Sequence, residues 1–179
     1  MDKKIIIISG PTASGKTGLA LKLVKELGGE LISADSRQIY QQMNIVTGKD
    51  LSEDAKLNEE GFYDFDGVKV WGLDLVKPDQ NFDVSDFVKY AQEKIKEIQS
   101  RSKLPIIVGG TVFWIRSLLN PPETLGMPQD QALRKELSKL NVKELQRELT
   151  KVDIDKFSSM NNSDRNNPRM RLPLRLNIR

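Results

Sequence analysis

The eight residues Gly10-Pro11-Thr12-Ala13-Ser14-Gly15-Lys16-Thr17 follow the apolar run Ile5-Ile6-Ile7-Ile8-Ser9 and open an amphipathic stretch. No other feature constrains the fold as tightly, because the spelling G-x-x-x-x-G-K-[ST] between a strand and a helix is that of a phosphate-binding loop. Glycines let successive backbone N–H groups curl around an oxyanion, the helix N-terminus adds partial positive charge, and Lys16 adds a full one. Thr17 offers a hydroxyl to a magnesium ion. The loop announces phosphates without saying whose.

The rest of the composition narrows the chemistry. The 179 residues contain neither cysteine nor histidine, which removes disulfides, thiolate nucleophiles, imidazole bases and the usual zinc sites. Acid–base work falls to carboxylates, Lys or Tyr. The length suits one domain with a small insertion. The N-terminus has no secretory pattern and the isoleucine run is too short to span a bilayer, so a soluble cytoplasmic protein is expected. A net charge of +3 hides a polarity: residues 1–100 carry more acids than bases and residues 101–179 the reverse. Arg165, Arg169, Arg171, Arg175 and Arg179 form a basic tail, which suggests a phosphate-rich partner on the C-terminal side or a merely solubilising segment.

The apolar pattern predicts a parallel α/β sheet. Leu19, Ala20, Leu23, Val24 and Leu27 recur at helical spacing before Gly28-Gly29, so the first helix spans 16–27. Residues 30–34 read as a buried strand with Asp35-Ser36-Arg37-Gln38 at its C-terminal end, where open parallel sheets gather their ligands. Tyr40, Met43 and Ile45 are expected to pack beneath that quartet, and 48–67 to be loop with one helical turn. Asp64-Phe65-Asp66-Gly67 matches the D-x-x-G of GTPases but precedes the strand at 68–73, so it reads as a turn. Asp83, with Asp86 three residues on, caps a helix to about Ser100. A buried strand at 104–108 ends in Gly109-Gly110-Thr111, bringing backbone and a hydroxyl close to a ligand, and a helix follows. Prolines mark 120–128 as a linker. Short charged helices at about 129–140 and 142–151, with Asn141 as a cap, look like an insertion, and past Asp153 the pattern fades.

Three motifs, the phosphate loop, Ile32-Ser33-Ala34-Asp35-Ser36-Arg37-Gln38-Ile39-Tyr40 and Gly109-Gly110-Thr111, together resemble the tRNA dimethylallyltransferase (isopentenyltransferase) family. Asp74-Leu75-Val76-Lys77-Pro78, Val84-Ser85-Asp86-Phe87 and Ala132-Leu133-Arg134 extend the likeness over residues 4–167. The family moves a five-carbon allyl group from dimethylallyl diphosphate to the exocyclic amine of an adenine beside the tRNA anticodon.

The resemblance implies a P-loop NTPase-like core over 1–119, a tRNA-contacting helical insertion over 120–160, and a basic tail over 161–179 that begins an incomplete return to the core. It implies that Gly10, Pro11, Thr12, Ala13, Ser14, Gly15, Lys16 and Thr17 hold the diphosphate, or a nucleotide, with Mg2+ on Thr17. It makes Asp35 the base, with Lys16 and Thr111 beside it in catalysis. Asp35, Ser36, Arg37, Gln38, Thr111, Arg134, Arg171 and Arg175 would touch the tRNA anticodon stem-loop. No membrane is implied, and a monomer is expected. Pro173 interrupts the arginine-bearing helix that the family carries after its Asn-Ser-Asp segment, so a shortened or frameshifted member with impaired activity is expected. Two other readings share the loop: a small-molecule kinase, which needs an arginine-rich lid, and a non-catalytic RNA-binding remnant.

Overall fold

The structure, a computed structural model, describes residues 4–49, 57–122, 125 and 130–166. β1 (Ile6–Ser9) runs into the phosphate loop and α1 (Lys16–Leu27), which ends on Gly28 in the left-handed region as expected. β2 (Gly29–Ser33) is followed by a one-turn helix α2 (Asn44–Thr47), then by the hairpin β3 (Phe62–Phe65) and β4 (Val68–Trp71). α3 (Val84–Ser100), β5 (Leu104–Gly109) and α4 (Val112–Leu119) follow.

The sheet order is β1-β5-β2-β4-β3. All pairings are parallel except β3 with β4. β2 and β5 are central and buried on both faces, which is why they read as unbroken apolar runs rather than alternating ones. Leu31, Ile106 and Val108 face Ala20 and Val24 of α1 in one core layer. Ile32 and Ile107 alternate to the other face, where α3 contacts β2 and β5 and packs on α4. There Phe87 stacks on Trp114 with ring centroids 4.6 Å apart. α3 begins in a reciprocal capping box in which Asp83 accepts the Asp86 N–H and Asp86 accepts that of Asp83, so the first turn's donors are satisfied.

Two expectations about this part of the chain are corrected. The stretch read as loop contains β3, an antiparallel edge strand, so the sheet is mixed. Its turn at Asp66-Gly67 has positive φ at both residues, 51° and 80°, the twist that two-residue hairpins favour. The Gly67 N–H donates to Asp64 at 2.7 Å, so D-x-x-G is a turn, as expected. Ile45 does not pack beneath the quartet; it is 97% exposed. Residues 43 and 47 share the inward side of α2, where the Thr47 hydroxyl donates to the Met43 carbonyl at 2.7 Å, and Ile45 falls on the opposite side.

The chain divides after Pro122 into two compact units. The second contains α5 (Gln131–Leu137), α6 (Val142–Val152), α7 (Ile154–Ser159) and α8 (Asn162–Arg165). Leu145 and Leu149 of α6 form its core with Leu137, Leu140, Phe157 and Met160. Asn141 and Glu144 cap α6 reciprocally. Helix therefore continues past Asp153, a correction to the expectation that regular structure fades there. Arg165 is no loose tail cation: its guanidinium donates to the carbonyls of Phe157 (3.1 Å) and Ser158 (2.6 Å) and lies over the Phe157 ring. Those carbonyls end α7, where a cation is favourable. Arg171 and Arg175 lie outside the described residues.

Candidate functional site

β1 delivers the chain to the C-terminal edge of the sheet, and the loop turns there through left-handed conformations at Ala13 (φ 61°) and Gly15 (φ 77°). Gly15 occupies the N-cap of α1 with no side chain capping it, and the first turn contains no acid. The N–H groups at that helix end therefore have no capping side chain or first-turn acid competing for them, the arrangement that suits an anion. Ser14 donates to the Pro11 carbonyl at 2.8 Å, and the Lys16 ammonium turns back over the loop to the same carbonyl.

Ala34, just past β2, receives β5: its N–H donates to Val108 at 2.7 Å and its carbonyl accepts from Thr111 at 3.3 Å. A Cβ on Gly109 would lie 2.2 Å from that carbonyl oxygen, so only glycine lets the strands close here. The chain then turns through Asp35–Gln38. Asp35 accepts the Arg37 N–H at 3.0 Å with one carboxylate oxygen, and its carbonyl accepts from Gln38 at 3.2 Å. Arg37 is exposed, with its guanidinium 3.8 Å from Asp35. Ser36 is held from outside, its N–H donating to the Thr111 hydroxyl at 3.0 Å.

Loop and turn meet across one cavity of about 450 Å3. Thr12 to Thr17 form one wall, and Asp35, Arg37 and Gln38 another. Leu21, Leu31, Phe65, Val70, Leu73 and Val108 supply an apolar lining. Ser36 and Thr111 brace the turn and do not line the cavity. Arg134 is exposed on α5 in the second unit. Among the described residues no cluster of three or more His, Cys, Asp or Glu residues could cage a metal. The Thr17 hydroxyl at the cavity wall is a hard oxygen donor, which fits magnesium shared with phosphate oxygens, since that ion keeps waters and needs few protein ligands.

Sequence reasoning missed Lys49 and Asp74. The Lys49 side chain is fully buried, lines the cavity and is ion-paired with Asp74. The other Asp74 oxygen accepts the Tyr63 hydroxyl at 2.6 Å. Burial, then the hydrogen bond to that carboxylate and its charge, push the Tyr63 phenol above its ordinary pKa. The one local signal was at Asp74, a lone charge among Gly72, Leu73, Leu75 and Val76, whereas Lys49 is followed by Asp50 and carried none.

The profile of the IPP transferase family matches residues 38–172, and that of the isopentenyl transferases matches 3–72. The chain belongs to the IPP transferase family. The tRNA dimethylallyltransferase of Endomicrobium trichonymphae is 43% identical over 150 residues, which is 83% of this chain and 48% of the relative. That of Staphylococcus haemolyticus is 41% identical over 140 residues, 76% and 39% of the two chains. Among solved structures, the full-length tRNA isopentenylpyrophosphate transferase of Bacillus halodurans aligns with 92% of this chain and 52% of its own, at 32% identity and a TM-score of 0.59. A eukaryotic dimethylallyltransferase solved acting on tRNA aligns with 94% and 39% of the two chains, at 25% identity and a TM-score of 0.73. This family member thus spans about half the length, or less, of the relatives it matches. Among its described residues no helix is long and apolar enough to cross a membrane.

Proposed function

We propose that this chain carries the diphosphate-binding and base-bearing part of a tRNA dimethylallyltransferase. One observation carries the reading: the phosphate loop and Asp35 line the same cavity, and the side chains of Leu21, Leu31, Phe65, Val70, Leu73 and Val108 give it an apolar patch beside them. A diphosphate attached to a hydrocarbon suits such a cavity. The named activity of the relatives supports the same choice.

In this reading the backbone N–H groups of residues 12–17 and Lys16 hold dimethylallyl diphosphate and stabilise charge on the departing oxygens. Thr17 would hold Mg2+, which would neutralise part of that charge when bound. The C1–O bond of the allyl group breaks and its electron pair leaves with pyrophosphate. The exocyclic amine of the adenine bonds to C1 and loses its proton to Asp35. The turn hydrogen bond from Arg37 uses one Asp35 oxygen and leaves the other for the proton.

Thr111 holds the turn through Ser36, and Arg37, Gln38 and Arg134 meet the tRNA, with phosphate contacts supplying affinity and extrusion of the adenine supplying access. Arg171 and Arg175 join them in this proposal, and the protein works in the cytoplasm as a monomer.

The test incubates the full chain with labelled dimethylallyl diphosphate and an anticodon stem-loop RNA, and separately with ATP and nucleoside acceptors. Label in the RNA with release of pyrophosphate is expected, and Asp35→Asn should slow it about 10²–10⁴-fold. Phosphoryl transfer from ATP without prenylation would replace this reading with a kinase. RNA binding unaffected by Asp35→Ala, with no turnover in the parent chain, would leave a binding module.

A further inference from the structure

Lys49 borders the cavity, yet its ammonium turns away from it. It donates to the Tyr40 carbonyl at 2.6 Å, to Asn44 Oδ1 at 3.3 Å and to Asp74 Oδ1. An ammonium has no further donor to give, so Lys49 binds protein and not ligand.

These contacts converge on Gln38 from two sides. On one side the Asp74 N–H donates to the Gln38 carbonyl at 3.1 Å, while the Asp74 backbone sits in the left-handed region at φ 53°. On the other, Gln38 Nε2 donates to the Gly48 carbonyl at 3.1 Å, next to Lys49. Its Oε1 accepts from Ser33 at 3.1 Å. The Gln38 N–H in turn closes the turn on the Asp35 carbonyl. The ion pair thus ties together the two segments that grip Gln38. Burying two charges costs desolvation that their attraction repays only in part, so net stability is a weak reason for the pair to be there, whereas orientation of the segments it joins is a direct one.

We infer that the buried Lys49–Asp74 pair is a positioning device that fixes the Asp35–Gln38 turn at the cavity wall. Its catalytic consequence rests on the proposed role of Asp35, but the positioning itself can be read without any turnover.

The experiment measures amide hydrogen exchange by NMR on the full chain, for the parent and for Lys49→Met and Asp74→Asn, with inorganic pyrophosphate titrated into each. Exchange at the Arg37 and Gln38 amides should rise about tenfold in both variants while Ile107 and Val108 in β5 stay within about twofold. Pyrophosphate affinity should change by less than about threefold, because the loop that holds it is built from other elements. Unchanged exchange at Arg37 and Gln38 would overturn the inference. So would an equal rise in β5, which would mean that the pair only supports the fold. Asp74→Asn keeps the side-chain shape and decides the matter if Lys49→Met does not fold. Failure of the parent to bind pyrophosphate, with the local exchange response intact, would count against the function proposed above and leave the positioning role standing.

Discussion

The Thr111 hydroxyl accepts the backbone N–H of Ser36 at 3.0 Å and donates to the Ser36 hydroxyl at 3.2 Å, across a separation of 75 residues. This pair joins the end of β5 to the turn that follows β2. The glycines before Thr111 bring it near enough to do so. Thr111 therefore acts on the cavity at one remove, through the turn that bears Asp35.

Thr111→Val keeps the shape of the side chain and leaves the Ser36 N–H without its acceptor. A half-buried donor stranded in this way costs about 1 kcal/mol. Urea unfolding should show an unfolding free energy lower by that amount for Thr111→Val and almost unchanged for Thr111→Ser, which keeps the oxygen.

Gly109→Ala places a methyl group 2.2 Å from the Ala34 carbonyl oxygen, whereas at Gly110 the nearest atom is the Gly10 carbonyl oxygen at 3.7 Å. Backbone cannot swing aside as a side chain does, and the β2–β5 ladder must open. A loss of about 3 kcal/mol is expected at position 109. Only a small loss is expected at 110, and a paired thermal melt separates the two neighbours.

What could be read in advance follows the range of the forces involved. The limits of α1 and the cap of α3 are set by residues within one turn of each other: Gly28 stops one helix, and Asp83 with Asp86 starts the other. The phosphate loop is legible for the same reason. β3 was missed because Phe62 and Tyr63 are buried by pairing with β4, and only the Asp66-Gly67 turn betrayed the hairpin locally. Lys49 and Asp74 stand 25 residues apart in segments without periodicity, so nothing local announces their meeting. Ile45 was not legible because an apolar residue in a loop need not face inward: a single turn such as α2 buries only one side.

Alkaline stability should depend on Tyr90. Burial chiefly, opposed by the hydrogen bond its oxygen accepts from Gly72 at 3.0 Å, pushes this phenol up to about 12. The unfolded chain releases the phenolic proton near its ordinary value of about 10, while the folded chain retains it. The stabilisation is complete below that value and is lost as pH rises through about 12, because the unfolded state then binds fewer protons. Tyr63 is shifted in the same direction. Denaturant midpoints taken from pH 9 to 12 should fall, and Tyr90→Phe should flatten part of the decline. An equal slope in parent and variant would assign the effect to other groups.

Lys16 stands in the first turn of α1, where the helix dipole disfavours a cation. Its ammonium also lies against its own loop carbonyl. A residue kept for the fold alone gains little from that place, so Lys16→Met should leave stability unchanged or raise it by about 0.3–1 kcal/mol. Binding of inorganic pyrophosphate should respond in the opposite sense. Loss of a charge-assisted contact of about 1.5–3 kcal/mol corresponds to roughly ten- to a hundredfold weaker affinity. Raising ionic strength should erode parent binding more than that of the variant, since screening acts on the charge removed. Calorimetric titration with pyrophosphate at two salt concentrations, beside a thermal melt of each protein, measures all three quantities. A variant that loses stability and affinity together would make Lys16 part of the scaffold, whereas opposed changes identify a residue whose position is held for the anion.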